Sequence, residues 1–445
     1  MNKIKNLLIV VLAFFSIPLT AQEKIELTWQ VVGTQNPKYI EVAAYYNKVF
    51  TIDWGDGCID TITGFGIYPP FNEYTHNYTT QGEYFVIIET TDPECYFIYF
   101  SCNNQNISNL VLTGCSSLTE FYCEGNHLTK LDLSGLNNLM YLNCTNNHLT
   151  ELDLSNLYGL MRLQCSFNQL KVLNFETNSL LALLWCSDNQ LKELDLSGIP
   201  NLYNFTCSRN QITKLILPKN ASFSFLYCSD NLLTSLDLST CDVKYGIECY
   251  NNQFQLSTLF TAHSFINQPD FKKIGTQIVP TKWVHLDAEL FAEHSVFNGI
   301  FTKYIVEKEG IPAQENEYSV IDGKLTFHTL GIYTVTMTND AIVSHPDYPA
   351  QVITTLEVVS VAVNENELSD IKAYPNPTQG KLQVTGYELQ VTSIEVFDIY
   401  GRNQTPHTTY LAPHTSLDIT DLASGVYFVK IYTESGIVTK KILKQ

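Results

Sequence analysis

Charged residues are scarce in this sequence, and basic residues are the scarcer kind. Only 16% of the 445 residues are charged, and 26 Lys and Arg stand against 45 Asp and Glu, which gives a formal net charge of −19. Nucleic-acid binders need clustered Lys and Arg, so we expect no nucleic-acid partner. The same acidity disfavours electrostatic docking to an anionic membrane.

Long apolar runs are equally few. The stretch Leu7 to Phe15 follows Lys3 and Lys5 and precedes Pro18-Leu-Thr-Ala21, which is the layout of a secretory signal peptide. This stretch is too short to cross a bilayer, which takes about 20 apolar residues, and no other run is long enough. We therefore predict a signal peptide over residues 1–21 and no membrane-spanning segment in the mature chain.

Catalytic signatures are missing as well. The sequence has no H-E-x-x-H, no G-x-S-x-G and no G-x-x-x-x-G-K-[ST], which are common patterns of hydrolases and nucleotide-binding enzymes. We predict a non-enzymatic protein with no catalytic residue, no metal and no cofactor. His127 and His148 hold equivalent positions of adjacent repeats, where exposure is a simpler interpretation than a metal site. Asp53 and Asp56 belong to an Asp-Gly stretch, which predicts a turn in preference to a calcium site.

What the sequence has in abundance is cysteine at a constant spacing. Eight of the 12 cysteines recur every 21 residues, and they are Cys102, Cys123, Cys144, Cys165, Cys186, Cys207, Cys228 and Cys249. Around one of them stand Leu139, Leu142, Cys144, Asn147 and Leu149. This pattern is L-x-x-L-x-C-x-x-N-x-L, a leucine-rich repeat with cysteine in place of one strand leucine. Strand residues two apart point to the same side, so Leu142 and Cys144 are predicted to face inward.

Repeats of this kind bury their apolar side chains only by stacking on one another, so we predict a solenoid with a parallel sheet. The cysteines are predicted to be small buried hydrophobes. Coils stacked about 4.8 Å apart hold Cβ atoms farther apart than the roughly 3.8 Å of a disulfide, and parallel side chains do not converge on zinc. The asparagines that recur from Asn126 to Asn252 are predicted to satisfy buried backbone groups, with Gln105 in this place in the first repeat.

The repeat resembles the cysteine-ladder branch of the internalin-like leucine-rich repeats and similar repeats in secreted Bacteroidetes proteins. The resemblance covers residues 97–260 in eight repeats. It implies adhesion or protein recognition, with no catalytic residues to carry over.

Residues 22–96 show the alternation and turn residues of β-strands. They contain Phe50-Thr-Ile-Asp-Trp-Gly-Asp-Gly57, His76-Asn-Tyr78 and Gly82-Glu-Tyr84-Phe-Val86, and this combination resembles the PKD-type β-sandwich of secreted bacterial proteins. Cys58 and Cys95 lie outside the repeats, and in an exported protein they are candidates for a disulfide.

The segment after the repeats divides into three parts. Residues 262–362 lose the 21-residue spacing and look like an immunoglobulin-like sandwich, and the polar, acidic residues 363–370 are predicted to be a linker. Residues 371–445 carry Tyr374-Pro-Asn-Pro-Thr378 and Leu422-Ala-Ser-Gly425-Val-Tyr427. This last part closely resembles the C-terminal sorting domain of the Bacteroidetes type IX secretion system, which implies passage across the outer membrane followed by surface attachment or release.

The pattern Gly-x-Tyr-x-Val occurs three times outside the repeats, starting at Gly82, Gly331 and Gly425. Glycine allows a sharp turn, and the period of two that follows builds a half-buried strand. Together with the repeats, this predicts a mainly β protein in which a leucine-rich repeat solenoid is flanked by β-sandwich domains.

Strand positions that alternate with the inward ones are predicted to form a concave binding face. The candidate binding residues are Tyr99, Glu120, Tyr122, Tyr141, Asn143, Arg162, Trp185, Phe225, Tyr227, Glu248 and Tyr250. Tyr and Trp are favoured as binding anchors, so we predict a secreted or surface-attached protein that recognises a protein or glycan, with Trp185 and Tyr227 as anchors. Aromatic residues also stack across strands without any ligand. The alternatives are therefore a structural spacer or surface-layer component, or an accessory binding module of a polysaccharide-degrading system.

Overall fold

The computed structural model describes residues 22–33, 37–45, 47–64, 72–264, 271–359, 372–374, 376–385, 391–398, 401–405, 415–433 and 436–445. The chain forms two compact units, one of Met1–Phe254, Thr258–Thr276 and Ile342–Ala350, the other of Gln255–Ser257, Gln277–Ala341 and Gln351–Gln445. The predicted signal peptide and the predicted linker over 363–370 lie outside the described residues. The described part is mainly β, as predicted.

The first unit begins with eight strands. They are β1 (Lys24–Val31), β2 (Lys38–Ala44), β3 (Val49–Asp53), β4 (Ile59–Thr63), β5 (Asn72–His76), β6 (Gly82–Thr90), β7 (Phe97–Ser101) and β8 (Ile107–Thr113). Five of them form an antiparallel sheet in the order β4-β3-β6-β1-β8. Alternation along β1 buries Ile25, Leu27 and Trp29, because side chains on a strand point to opposite faces in turn.

The repeats form a parallel solenoid, as predicted. Their remaining elements are β9 (Glu120–Tyr122), β10 (Tyr141–Asn143), β11 (Arg162–Gln164), β12 (Leu183–Trp185), β13 (Glu193–Asp195), β14 (Asn204–Thr206), β15 (Lys214–Ile216), β16 (Ser222–Tyr227), β17 (Asp242–Glu248), helix α1 (Leu256–Ser264) and β18 (Lys272–Lys273). Residues paired across neighbouring strands, such as Leu142 and Leu163, lie one repeat apart in the sequence. All of these strands except β13 and β15 join one sheet of eleven, ordered β18-β17-β16-β14-β12-β11-β10-β9-β7-β2-β5, and β13 and β15 pair with each other in a separate parallel sheet.

The sheets of the N-terminal segment continue into the first repeat. Strand β7 is the first parallel strand of the solenoid, and β2 pairs with it antiparallel on its other side. Strand β8 of the same repeat pairs with β1. The Gln105 side chain accepts a hydrogen bond from the Tyr39 amide at 3.2 Å, and the Lys38 amine donates to the Gln105 carbonyl. The sheet therefore crosses residue 97 without interruption.

The eight repeat cysteines line the interior of the solenoid. None of them forms a disulfide, and none is more than 1% exposed. Burial raises the pKa of these thiols, that of Cys144 to about 12, so they stay protonated and act as small apolar side chains.

The recurring asparagines bond each coil to the one before it. Asn168 shows the arrangement: its amide nitrogen donates to the carbonyls of Cys144 and Cys165 at 3.0 and 3.2 Å, and its amide oxygen accepts the Leu149 N–H at 3.0 Å. The same bonds are made by Asn147, Asn189, Asn210, Asn231 and Asn252. Each amide thus satisfies backbone groups of two coils.

Two residues after each repeat cysteine the backbone takes a positive φ. The values lie between 53° and 67° at Asn104, Gly125, Asn146, Phe167, Asp188, Arg209, Asp230 and Asn251. Gly, Asn and Asp enter this left-handed region readily. Phe167 and Arg209 do so at a cost of roughly 1–2 kcal/mol each, because their Cβ atoms crowd the following carbonyl.

The solenoid ends in a helix and one further strand. In α1, Leu256, Leu259 and Ala262 are buried at intervals of three residues, as on one side of a helix. Strand β18 then pairs parallel with β17. The sheet therefore extends beyond residue 260, the predicted end of the repeats.

The second unit contains two groups of strands. The first group is β19 (Thr276–His285), β20 (Val296–Phe297), β21 (Ile300–Phe301), β22 (Lys303–Lys308), β23 (Ile311–Pro312), β24 (Tyr318–Ile321), β25 (Lys324–Phe327), β26 (Gly331–Thr338) and β27 (Gln351–Val359), with a 3-10 helix at Ala292–His294. Its largest sheet has the order β19-β27-β26-β22-β23.

The second group makes two three-stranded sheets. Its strands are β28 (Lys372–Tyr374), β29 (Lys381–Thr385), β30 (Val391–Asp398), β31 (Thr415–Asp418), β32 (Gly425–Thr433) and β33 (Gly436–Lys444). The orders are β28-β29-β31 and β30-β32-β33. Buried residues of both sheets, such as Leu382 and Val429, share one apolar core.

The three Gly-x-Tyr-x-Val patterns open three equivalent strands, β6, β26 and β32. In each, the tyrosine hydroxyl donates to the carbonyl four residues upstream: Tyr84 to Thr80, Tyr333 to Thr329 and Tyr427 to Ala423, at 3.0, 3.3 and 2.9 Å. This is the bond of a tyrosine corner, a feature of immunoglobulin-like domains.

Candidate functional site

The predicted binding residues lie on strands of the eleven-stranded sheet or directly after them. In-register pairing places Glu120, Tyr141, Arg162, Leu183 and Asn204 in one row. Tyr122, Asn143, Gln164, Trp185, Thr206, Tyr227 and Glu248 form a second row, two residues further along each strand. Because residues two apart on a strand share a face, both rows belong to one surface, which we call the strand face.

At its first strands the strand face is occupied by its own contacts. The Tyr99 hydroxyl donates to Glu41 at 2.7 Å, and the Tyr99 ring lies 5.5 Å from that of Tyr122. The Tyr122 hydroxyl donates to Glu120 at 2.9 Å. Burial and these carboxylates raise the pKa of both phenols. Tyr99 is only 8% exposed, so it is a packing residue and has little surface to offer a ligand.

The next two strands are also internally paired. The Arg162 guanidinium lies 4.9 Å from the centre of the Tyr141 ring, a cation–π distance. The Asn143 amide donates to Glu124 at 2.8 Å, and Asn143 is buried. Of this group only Arg162 presents an exposed side chain.

Trp185 in the middle of the sheet is different. Its side chain is 38% exposed, and its indole N–H has a long contact of 3.4 Å to the Asn204 amide oxygen. Its neighbours Leu183, Asn204 and Thr206 are half-buried. An exposed indole surrounded by small or uncharged side chains is a typical binding anchor.

The far end of the strand face combines aromatic rings with an ion pair. The rings of Phe225 and Tyr227 lie 5.7 Å apart, and burial, with the charge of Glu248, raises the pKa of Tyr227. Lys273 bonds Glu248 at 2.6 Å, and this hydrogen bond raises the pKa of the lysine.

Two residues of this end were missed by the sequence analysis. The Tyr348 ring lies 5.2 Å from the Tyr250 ring and is tilted by 32°, and the Lys273 amine lies 5.1 Å from the Tyr348 ring. Both Lys273 and Tyr348 follow the last repeat, where no sequence periodicity marks them.

Polar pairs border the strand face where the chain takes its positive φ. Arg209 binds Asp188 of the preceding coil with two hydrogen bonds, at 2.5 and 2.7 Å, and Asn251 donates to Asp230 at 2.8 Å. Phe167 holds the equivalent position one coil earlier and is 52% exposed. The border therefore presents an apolar ring beside a charged pair.

The predicted candidate disulfide is not formed. Cys58 and Cys95 are both free, the first exposed and the second buried. Trp54, just past one end of β3, bonds the Cys58 carbonyl, and Val49 at the other end bonds Thr91, close to Cys95. A five-residue strand separates its ends by about 13 Å, beyond the roughly 7 Å that a disulfide can bridge between Cα atoms.

Residues 372–445 match the family of the secretion system C-terminal sorting domain. This match supports the predicted type IX sorting domain, and such a domain implies export to the cell surface or the medium. A search of curated proteins finds no match. In the described part of the chain no helix has both the length and the hydrophobicity needed to cross a membrane.

Several solved structures are similar to part of the chain. InlP of Listeria monocytogenes is 16% identical, with 56% of this chain and 75% of that chain covered and a TM-score of 0.37. A Listeria monocytogenes internalin-like protein is 15% identical over 58% and 75%, with a TM-score of 0.31. YopM from Yersinia enterocolitica is 28% identical over 31% and 30%, with a TM-score of 0.26.

Proposed function

We propose that this chain is a secreted or cell-surface recognition protein that binds a protein or glycan through the strand face. The observation that carries the proposal is the exposed indole of Trp185 in the centre of the sheet. The residues proposed to make contact are Trp185, Phe225, Tyr227 and Arg162. The protein is proposed to be non-enzymatic, with recognition as its activity.

The geometry favours the centre and the far end of the strand face over its beginning. A ligand gains from side chains that are rigid, partly apolar and not already satisfied. The Tyr99 hydroxyl already bonds Glu41, and the Tyr122 hydroxyl bonds Glu120. The Tyr141 ring is in contact with the Arg162 guanidinium. Trp185 keeps an exposed ring, and Tyr227 lies two parallel strands away, which is about 10 Å. That separation suits two successive contacts with an extended ligand.

Binding arrays of proteins and glycans would test the proposal. We expect the wild-type chain to capture a defined set of ligands. The double variant Trp185→Ala, Tyr227→Ala should bind these ligands more than about tenfold more weakly, since each anchor that the ligand buries contributes about 2 kcal/mol. Tyr158→Ala is the matched control, because Tyr158 is 59% exposed but lies outside the strands. Equal capture by the double variant and the control would remove the strand face from the function.

Export is proposed to proceed in two steps. The signal peptide over 1–21 would direct the chain across the inner membrane and be cleaved before Gln22, and the sorting domain would direct passage across the outer membrane. Deleting residues 372–445 should leave the protein in the periplasm, as shown by cell fractionation. Surface display of the truncated chain would contradict this route.

A structural role is the second candidate, and one observation favours it. The N-terminal strands and the repeats share a sheet of eleven strands, which gives a stiff body suited to a spacer. Under this function, capture of ligands on the arrays would not depend on Trp185. Loss of the protein would instead change the spacing between components of the cell surface.

A further inference from the structure

A group of three potential metal ligands lies on the N-terminal part of the first unit. Asp56 and Cys58 belong to the turn between β3 and β4, and His76 is the last residue of β5. Their ligand atoms all lie within 4.8 Å of one another, the one such group of three among the described residues. The sequence analysis predicted no metal here, because it assigned Asp56 to an Asp-Gly turn.

The surroundings hold these side chains in place. The Cys58 N–H donates to one oxygen of Asp56 at 3.0 Å, and the second oxygen is 2.8 Å from His76 Nε2. The His76 ring stacks on Trp54 at 5.0 Å, with planes 10° apart, and meets Tyr78 edge-on at 4.6 Å. Such supporting contacts fix ligand orientation before a metal arrives.

We propose that Asp56, Cys58 and His76 bind a zinc-type divalent ion through one carboxylate oxygen, the Cys58 sulfur and His76 Nε2. Bond lengths of about 2.0–2.3 Å in a tetrahedral site require ligand atoms roughly 3.4–3.8 Å apart. The observed group needs movements of only about 1 Å to reach this spacing. Sulfur and imidazole ligands favour zinc over calcium and magnesium, which select oxygen.

Charge and access agree with this assignment. Asp56 and Asp60 place negative charge beside the Cys58 thiol, and this negative potential attracts a cation. Binding replaces the S–H bond of Cys58 by a sulfur–metal bond and releases the proton to solvent. It also replaces the hydrogen bond between His76 and Asp56. Asp56 and Cys58 are exposed, so water can take the fourth position.

The bound ion would connect the β3–β4 turn to β5. Strand β5 is the outermost strand of the eleven-stranded sheet, so its free side is an exposed edge. A metal bridge at His76 would hold this edge strand to the neighbouring sheet. It would also protect the exposed Cys58 thiol from oxidation, since the reactive species is the free thiolate.

Titration of the whole chain with Co²⁺, a spectroscopic substitute for zinc, tests the proposal. We expect one equivalent to bind with a thiolate-to-cobalt charge-transfer band, and Zn²⁺ to displace it. Cys58→Ser should abolish the band, and Asp56→Asn should weaken binding by more than about tenfold. Cys241→Ser is the control, because Cys241 is also a free and incompletely buried cysteine. Thermal unfolding with a chelator present establishes that each variant is folded.

A second measurement uses the thiol itself. Zn²⁺ should slow alkylation of Cys58 by more than about tenfold, as read by peptide mass spectrometry. The absence of a thiolate band in the wild type, or an unchanged band in Cys58→Ser, would overturn the site and leave Asp56 and His76 as a structural pair. Neither outcome bears on ligand capture by the strand face.

Discussion

Replacing Asn168 by alanine should loosen the solenoid between two coils. The Asn168 side chain makes four hydrogen bonds, to the carbonyls of Cys144, Cys165 and Ser166 and from the Leu149 N–H. Truncation leaves the Leu149 N–H buried without this acceptor, which costs about 1–3 kcal/mol. Loss of three amide-to-carbonyl bonds adds about 0.5–1.5 kcal/mol for each bond that water does not replace. We expect a total of about 3 kcal/mol.

Hydrogen exchange read by mass spectrometry is the suitable assay, because it reports stability coil by coil. A loss of about 3 kcal/mol should speed exchange of the amide groups around residues 144–170 by about a hundredfold, with little change in the second unit. Gln169→Ala is the matched control, since Gln169 is the next residue and is exposed. If Asn168→Ala exchanges no faster than the control, the asparagines do not join the coils, and the account of the solenoid given above is wrong.

Three further predictions concern single side chains. Asn178→Leu should raise the unfolding temperature, because Asn178 is fully buried, its amide oxygen has no partner, and Leu157 holds the equivalent place one repeat earlier. A lower unfolding temperature would show that the Asn178 hydrogen bonds to the Leu154 and Leu157 carbonyls stabilise the fold by more than an apolar side chain would. Phe167→Asn should stabilise the first unit by about 1 kcal/mol, since asparagine tolerates the left-handed backbone, as measured by urea unfolding; destabilisation would reveal packing by the exposed ring. Burial raises the pKa of Glu23 from 4.5 to about 7, so between these values the folded chain retains a proton that the unfolded chain releases. The free energy of unfolding should therefore fall as the pH rises from about 4.5 to 7. Glu23→Gln should flatten this decline in melting temperature, and an unchanged slope would assign the decline to another group.

The solenoid could be predicted from the sequence because its determinants are periodic. A shift of 21 residues brings each strand onto the next, and the leucines and asparagines repeat with it, so every coil supplies the same interior. The burial of Cys144 and the bonds of Asn168 follow from this repetition. The sorting domain was found in a different way, by resemblance, since its strands alone would fit many small sandwiches.

Features produced by tertiary contacts could not be predicted. The pairing of β2 with β7, and of β1 with β8, crosses the predicted boundary at residue 97, where the composition changes but the hydrogen-bonded ladders continue. The group of Asp56, Cys58 and His76 likewise arises because a turn meets the end of a distant strand.

The alternating pattern indicates which residues share the strand face, but not which of them are exposed. Alternation places Tyr99 and Trp185 on the same side of the sheet. It does not reveal that Glu41, from a segment before the repeats, accepts the Tyr99 hydroxyl bond. The alternating pattern therefore does not distinguish the buried Tyr99 from the exposed Trp185.

The uninterrupted sheet at the start of the repeats has a consequence for assembly. Open parallel strands readily recruit strands from other molecules, and the first coil of an isolated repeat array would offer such strands on β7 and β8. Here β2 and β1 already occupy both positions. A fragment cut at residue 97 should therefore self-associate more readily than the intact chain, in which β2 and β1 already pair with these two strands.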